Sequence, residues 1–131
     1  MGKVLIVDGH SAIFSTLELR ELHALNPDAG RDALIRELND YHNLSETSVI
    51  LVYDGKGKRI DREGGSDRDI LILYSKTHQT ADTIIERLAA KHAKNYQVQV
   101  ASNDRMVLES CYASGAQVMS IDHLWAMIDF D

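Results

Sequence analysis

Five short apolar runs recur along the chain, each stopping at an acidic or turn-forming residue, with helical patterns between them. This alternation constrains the fold more than any other feature of the sequence. Residues 3–7 stop at Asp8-Gly9, 48–53 at Asp54-Gly55, 70–74 near Ser75, and 98–101 at Ser102-Asn103-Asp104, and a last run covers 117–119. The runs are continuous rather than alternating, as expected of strands buried on both faces. Between them, 12–25 carries Ile13, Leu17, Leu22 and Leu25, and 31–44 carries Leu34, Ile35, Leu38 and Tyr41. Both spacings approach the i, i+3, i+4, i+7 pattern of an amphipathic helix. Asn26-Pro27-Asp28 reads as a helix stop and turn between them. Residues 80–94 repeat the helical pattern with Ile84, Ile85, Leu88 and Ala89, another helix starts over 104–114, and 123–128 closes the chain. Strands alternating with helices predict a three-layer α/β/α domain with a mainly parallel central sheet of about five strands and right-handed crossovers. With no internal repeat and one proline, 1–131 reads as a single domain. Residues 55–69, with four glycines and mixed charge, read as a long loop.

At 131 residues and 44% hydrophobic types the chain can bury one core. Its apolar runs fall far short of the ~20 residues of a membrane span, so no membrane crossing is expected. The opening MGKVLIVDG lacks the apolar core and cleavage site of a signal peptide, which predicts a cytoplasmic protein. Cys111 stands alone, so neither an intrachain disulfide nor a cysteine-based zinc site is expected. A net charge of −6 argues against a generally basic surface that grips bare nucleic acid. It leaves room for an enzyme that collects carboxylates to hold metal.

The carboxylates fall where such a site would form. Ligands of open parallel sheets bind beyond the carboxyl ends of the strands, and those ends deliver Asp8, Asp54 and Asp104. Asp82 opens the helix after the third apolar run, and Glu86 lies four residues on, on the same helix face. A crowd of carboxylates repels itself unless protons or cations neutralise it. Magnesium, held by one or two carboxylates together with substrate phosphates, suits such a site. The matching reaction is metal-assisted phosphodiester hydrolysis. A plainer reading stands beside it: Asp ends strands because it favours turns, Thr80-Ala81-Asp82 makes a capped helix start, and Asp104 neutralises a helix N-terminus.

The ordered blocks Leu5-Ile6-Val7-Asp8-Gly9-His10-Ser11, Val52-Tyr53-Asp54-Gly55, Thr80-Ala81-Asp82-Thr83-Ile84-Ile85-Glu86-Arg87, Ala101-Ser102-Asn103-Asp104 and Gly115-Ala116-Gln117-Val118-Met119-Ser120 resemble the NYN-domain family in its YacP-like branch. That branch belongs to the PIN-like nuclease superfamily. The most specific parts are the T-A-D-x-x-I-E block and the S-N-D block after it. The resemblance implies a PIN-like sheet and a metal-dependent endoribonuclease using Mg²⁺ or Mn²⁺, in one branch associated with the ribosome. Asp8, Asp82 and Asp104 would be the metal-binding acids and Glu86 a fourth catalytic carboxylate. Ser11, Asp54, Asn103 and Thr80 would support the site or touch substrate. The family's opening motif usually reads D-G-Y-N, and His10 and Ser11 stand in its last two positions here.

Lys56, Lys58, Arg59, Arg62 and Arg68 supply five of the fourteen basic residues. They form a candidate contact for an RNA backbone, although Asp61, Glu63, Asp67 and Asp69 among them also fit a solvated loop. No histidine pair has metal-ligand spacing, and no G-x-S-x-G or phosphate-binding glycine motif occurs. Cys111 reads as a core residue, and Tyr53, Tyr74, Tyr96, Tyr112, Trp125 and Phe130 as packing groups rather than a base-stacking platform. Two rivals to the nuclease remain. One is an RNA-binding or ribosome-docking module with a degenerate, non-cleaving site. The other is a small-ester phosphohydrolase, which the absence of a D-x-D nucleophile pattern disfavours.

Overall fold

The structure, a computed structural model, describes residues 2–55, 62–65 and 69–130, with the side chains of 129 and 130 left aside. In chain order its elements are β1 (Lys3–Asp8), α1 (Gly9–Ser15), α2 (Leu17–Leu25), α3 (Pro27–Ser45), β2 (Ser48–Tyr53) and β3 (Arg62–Gly64). They continue as β4 (Leu71–Tyr74), α4 (Ala81–His92), β5 (Gln97–Ala101), α5 (Arg105–Ala113), β6 (Gln117–Met119) and α6 (Ile121–Phe130). All five apolar runs are strands, and all pair in parallel in one sheet of order β3-β4-β2-β1-β5-β6. The three-layer α/β/α architecture follows from the chemistry of the runs. Leu5, Val7, Val49 and Leu51 pack under α1, α2, α3 and α6, whereas Val4, Ile6, Val98 and Val100 face α4 and α5.

Leu5, Ile6 and Val7 on the central strand are all 0% exposed. Burial of each is worth ~1.5–3 kcal/mol, so the strand that delivers Asp8 is held from both faces. The chain builds β2 and β4 on one side of β1 and then crosses through α4 to place β5 on the other. The crevice at such a reversal, beyond the carboxyl ends of β1 and β5, is where open α/β sheets bind ligands.

Four features differ from the expectation. A sixth strand, β3, pairs antiparallel with β4 through Arg62↔Leu73, Glu63↔Ile72 and Gly64↔Leu71, inside the segment read as loop. Its R-E-G sequence has no apolar run to betray it, and charged residues are what an exposed edge strand tolerates. The helix expected over 12–25 is two helices, broken at Thr16, whose φ −107 and ψ 115 are extended. The Thr16 hydroxyl accepts a 2.8 Å hydrogen bond from the Trp125 indole N–H of α6. Third, α3 begins at Pro27, with the Asn26 side chain accepting from the Asp28 N–H and proline at the first turn. The Asn-Pro-Asp segment is therefore a helix start as much as a stop. Fourth, α6 starts at Ile121, two residues before the expected 123. Among the described residues no helix is long and apolar enough to cross a membrane.

Candidate active site

Asp8 ends β1 and caps α1, with its own φ −77 and ψ 105. It is 4% exposed, and a carboxylate that deep requires partners. Its Oδ1 accepts from the Ser11 backbone N–H at 3.3 Å. Its Oδ2 accepts from the hydroxyls of Ser11 at 2.9 Å and Ser102 at 2.8 Å. Each hydroxyl also accepts from the loop after β5: the Asn103 N–H donates to Ser11 Oγ at 3.1 Å and the Asp104 N–H to Ser102 Oγ at 3.0 Å. Two backbone amides of one strand end thus reach the carboxylate of another through two serines. Of roughly four acceptor positions on a carboxylate, Asp8 has one left. The Ser11 that replaces the family's usual asparagine is therefore part of what fixes Asp8.

Thr80 caps α4 by accepting from the Thr83 N–H at 3.1 Å, which places Asp82 in the first turn. Glu86 follows one turn later on the same face. Asp104 caps α5, its Oδ1 accepting from the Met106 and Val107 amides at 3.0 and 3.4 Å. These carboxylates converge on Asp82, whose acidity is weakened. Burial raises its pKa first, then the charges of Asp104 and Asp8, a hydrogen bond with Asp104, and the charge of Glu86. The capping reading and the clustering reading both hold: Asp8 and Asp104 cap helices, and those same helix starts turn them toward Asp82.

Carboxylates crowded in this way are stabilised by a proton or a cation held among them. The donor set at Asp8, Asp82, Asp104 and Glu86 is all hard oxygen, which fits Mg²⁺ or Mn²⁺. Among the described residues no three His, Cys, Asp or Glu groups already stand as a ready set of metal ligands. The fit therefore rests on the donor chemistry and on the crowding of negative charge at Asp82.

Other expected site residues take different positions. Asp54 accepts from the Ser75 hydroxyl at 3.1 Å, and that hydroxyl accepts from the Gly55 N–H at 3.0 Å, tying the ends of β2 and β4. Gly55 permits this approach, since a Cβ there would meet the Ser75 carbonyl oxygen at 2.0 Å. Asn103 donates to the Ser15 hydroxyl at 2.7 Å and accepts from the Ile121 N–H at 2.9 Å, bracing α1 against α6. Arg62 lines a cavity of about 370 Å³ with Val4, Ser48 and Leu71, where the strands begin. Lys56, Lys58, Arg59 and Arg68 lie outside the described residues. The sequence reading gave Ser102 no role. Its signal was a small hydroxyl at a strand end, 0% exposed and so obliged to find partners. Cys111 is 0% exposed, as its helical apolar setting predicted, and burial followed by the charge of Glu86 pushes its thiol up to about 11. Tyr112, at 71% exposure, is not the packing group expected.

Comparison with known proteins adds the lineage. In a search of curated proteins, YacP of Bacillus subtilis (strain 168), an uncharacterized protein, is 28% identical over 114 residues, covering 86% of this chain and 67% of that one. The crystal structure of Rae1 (YacP) from Bacillus subtilis superposes with a TM-score of 0.80 at 28% identity, covering 98% of this chain and 74% of that chain. A mutant of the same protein gives 0.82 at 26%, covering 98% and 75%. The YacP-like NYN domain model matches residues 5–130. With its sheet, its acidic strand ends and nearly its whole length matched, the chain belongs to the YacP-like NYN domain family of the PIN-like nuclease superfamily.

Proposed function

We propose that this chain is a metal-dependent endoribonuclease whose site is built from Asp8, Asp82 and Asp104 with Glu86. Family membership supports a nuclease as the class of activity. The observation that carries the finer reading is the Ser102 hydroxyl bonded to both the Asp8 carboxylate and the Asp104 backbone at the switch-point crevice, with Asp82 crowded by the charges of both acids. A bound Mg²⁺ or Mn²⁺ would lower the pKa of an attacking water and stabilise charge on the leaving oxygen.

The chain's own contribution is positioning. Asp8 is clamped by the Ser11 and Ser102 hydroxyls and offers its one remaining acceptor position to the cation. Asp104 has its Oδ1 engaged by two amides, so Oδ2 is the oxygen left for the metal. Asp82, crowded by the charges of Asp104, Asp8 and Glu86, would be relieved by a cation. Glu86 is poised beside them to accept a proton from the attacking water. With a net charge of −6 the chain has little general attraction for free RNA. Substrate is instead met on the ribosome in the cytoplasm, which would supply most of the grip on RNA.

The test is cleavage of an end-labelled RNA pool, free and ribosome-bound, by wild-type protein and Asp82→Asn, each with Mn²⁺, Mg²⁺ or EDTA. Internal cuts that need metal and vanish in Asp82→Asn are expected. Cutting by Asp82→Asn at the wild-type rate would overturn the site assignment. RNA binding without products under every condition would make the chain a binding module.

A further inference from the structure

A second cavity, of about 320 Å³, opens beside the acidic crevice, with His10, Phe14, His23, Arg31, Tyr53 and Asp54 on its walls. It abuts the carboxylate site through one residue. Gly9 separates Asp8 from His10, and the Tyr53 ring packs so closely on it that a Cβ at Gly9 would lie 2.4 Å from Tyr53 Cε1.

Among the described residues, three buried side-chain polar atoms lack a hydrogen-bond partner: His23 Nδ1, Arg31 Nε and the Tyr53 hydroxyl. All three belong to residues of this wall. Leaving such atoms unpaired costs ~1–3 kcal/mol each, and folded proteins hold few of them. Three around one cavity point to a ligand that supplies the missing partners. Arg31 is anchored at its other end, where Nη1 donates to the Tyr74 hydroxyl and lies 3.8 Å from the Glu63 carboxylate. Its guanidinium sits 5.6 Å above the Tyr74 ring centre.

The apolar part of the wall has its own character. Phe14 is 42% exposed and is flanked by the rings of His10 at 4.6 Å and His23 at 5.0 Å. An accessible aromatic face next to unpaired edge-reading groups is how proteins take up an unstacked base.

We propose that this cavity binds a nucleobase of the RNA adjacent to the cut, stacked on Phe14 and read along its edge by Tyr53, Arg31 and His23. The Arg31 Nε–H can only donate, and the Tyr53 hydroxyl can donate beside it. The recognised edge therefore presents acceptors, and guanine offers O6 and N7 side by side. Side-chain adjustment of the kind common on binding brings the buried groups to the base. The placement beside the cut rests on the nuclease reading, but occupancy of the cavity does not.

The experiment therefore has two arms. In the first, the wild-type chain in EDTA is titrated with each nucleoside 5′-monophosphate and followed by NMR. Saturable shifts at His10, His23 and Phe14, strongest with GMP, are expected. Tyr53→Phe, which keeps the ring over Gly9, should weaken GMP about tenfold, the equivalent of one hydrogen bond, and Phe14→Ala should weaken all four nucleotides. In the second arm, cut sites in a randomised RNA, free and ribosome-bound, are sequenced. Wild type should favour guanine at one position beside the cut, and both variants should flatten that preference while still cutting. Shifts elsewhere only, an equal response to all four nucleotides, or a base preference unchanged in both variants would overturn the proposal. If wild type cuts neither free nor ribosome-bound RNA, the nuclease reading fails and the titration alone decides the pocket.

Discussion

Removing the Ser102 hydroxyl should be unusually costly for a serine. The side chain is 0% exposed, donates to Asp8 Oδ2 at 2.8 Å and accepts from the Asp104 N–H at 3.0 Å. Ser102→Ala deletes a hydrogen bond to an ionised acceptor, worth ~1.5–3 kcal/mol, and strands a part-buried amide at ~1 kcal/mol more. Ser11 still donates to the same oxygen and offsets part of this, so the net loss should be ~2–3 kcal/mol. At roughly 4 °C per kcal/mol for a chain of this size, Tm should fall by about 8–12 °C. Urea unfolding should show the same loss with an unchanged m-value. The exposed Ser114, whose hydroxyl donates only to the Ser110 carbonyl, is the control, and its alanine variant should stay within ~0.5 kcal/mol of wild type. Because the Ser11 and Ser102 hydroxyls share one acceptor and lie 3.4 Å apart, a double-mutant cycle should show coupling above ~0.5 kcal/mol. A Ser102→Ala loss no larger than the Ser114 control would refute the idea that the two serines hold Asp8 in place.

Two further predictions concern the same crevice. Asp82→Asn should be more stable than wild type at neutral pH by ~0.5–1 kcal/mol, a figure kept small because Asp82 is only part-buried and solvent screens its charge. Its raised folded-state pKa means that the native state binds more protons than the unfolded one. Wild-type stability therefore drops as pH rises from the ordinary value of 3.8 through the raised one. The advantage of the variant should vanish below 3.8, and an advantage that persists there in acid urea titrations would contradict crowding as its cause. Gly9→Ala should cost ~1–3 kcal/mol by overpacking, since its Cβ would fall 2.4 Å from the Tyr53 ring. Equilibrium unfolding should show that cost shrinking in a Tyr53→Ala background, and an undiminished cost would place the strain elsewhere.

Much of the candidate site was legible because its acids sit at places a sequence marks. Asp8, Asp54 and Asp104 follow continuous apolar runs, and a parallel sheet brings the ends of such runs to one edge. Asp82 and Glu86 share a helix face by spacing alone. Legibility stopped where a residue's role depends on a partner distant in the chain. Asp54 looks like Asp8 in sequence, yet it bonds Ser75 on the side of β2 away from β5. The Tyr53 and Arg31 side chains gave no signal of a shared cavity, since the two are joined only by the packing of α3 over β2 and β4. β3 was invisible because its pairing is dictated by the open edge of β4 rather than by its own R-E-G residues.

The sequence by itself determined the alternation of strands and helices and the edge where carboxylates collect. These follow from local periodicity and from the chemistry of residues that end apolar runs. Tertiary structure alone decided which acids meet: the reversal of strand order at β1 sets Asp8 beside the loop carrying Ser102 and Asp104. It also decided where a helical pattern breaks, as at Thr16, whose hydroxyl meets the Trp125 indole. Those outcomes depend on contacts between residues roughly a hundred positions apart, and local periodicity carries no record of them.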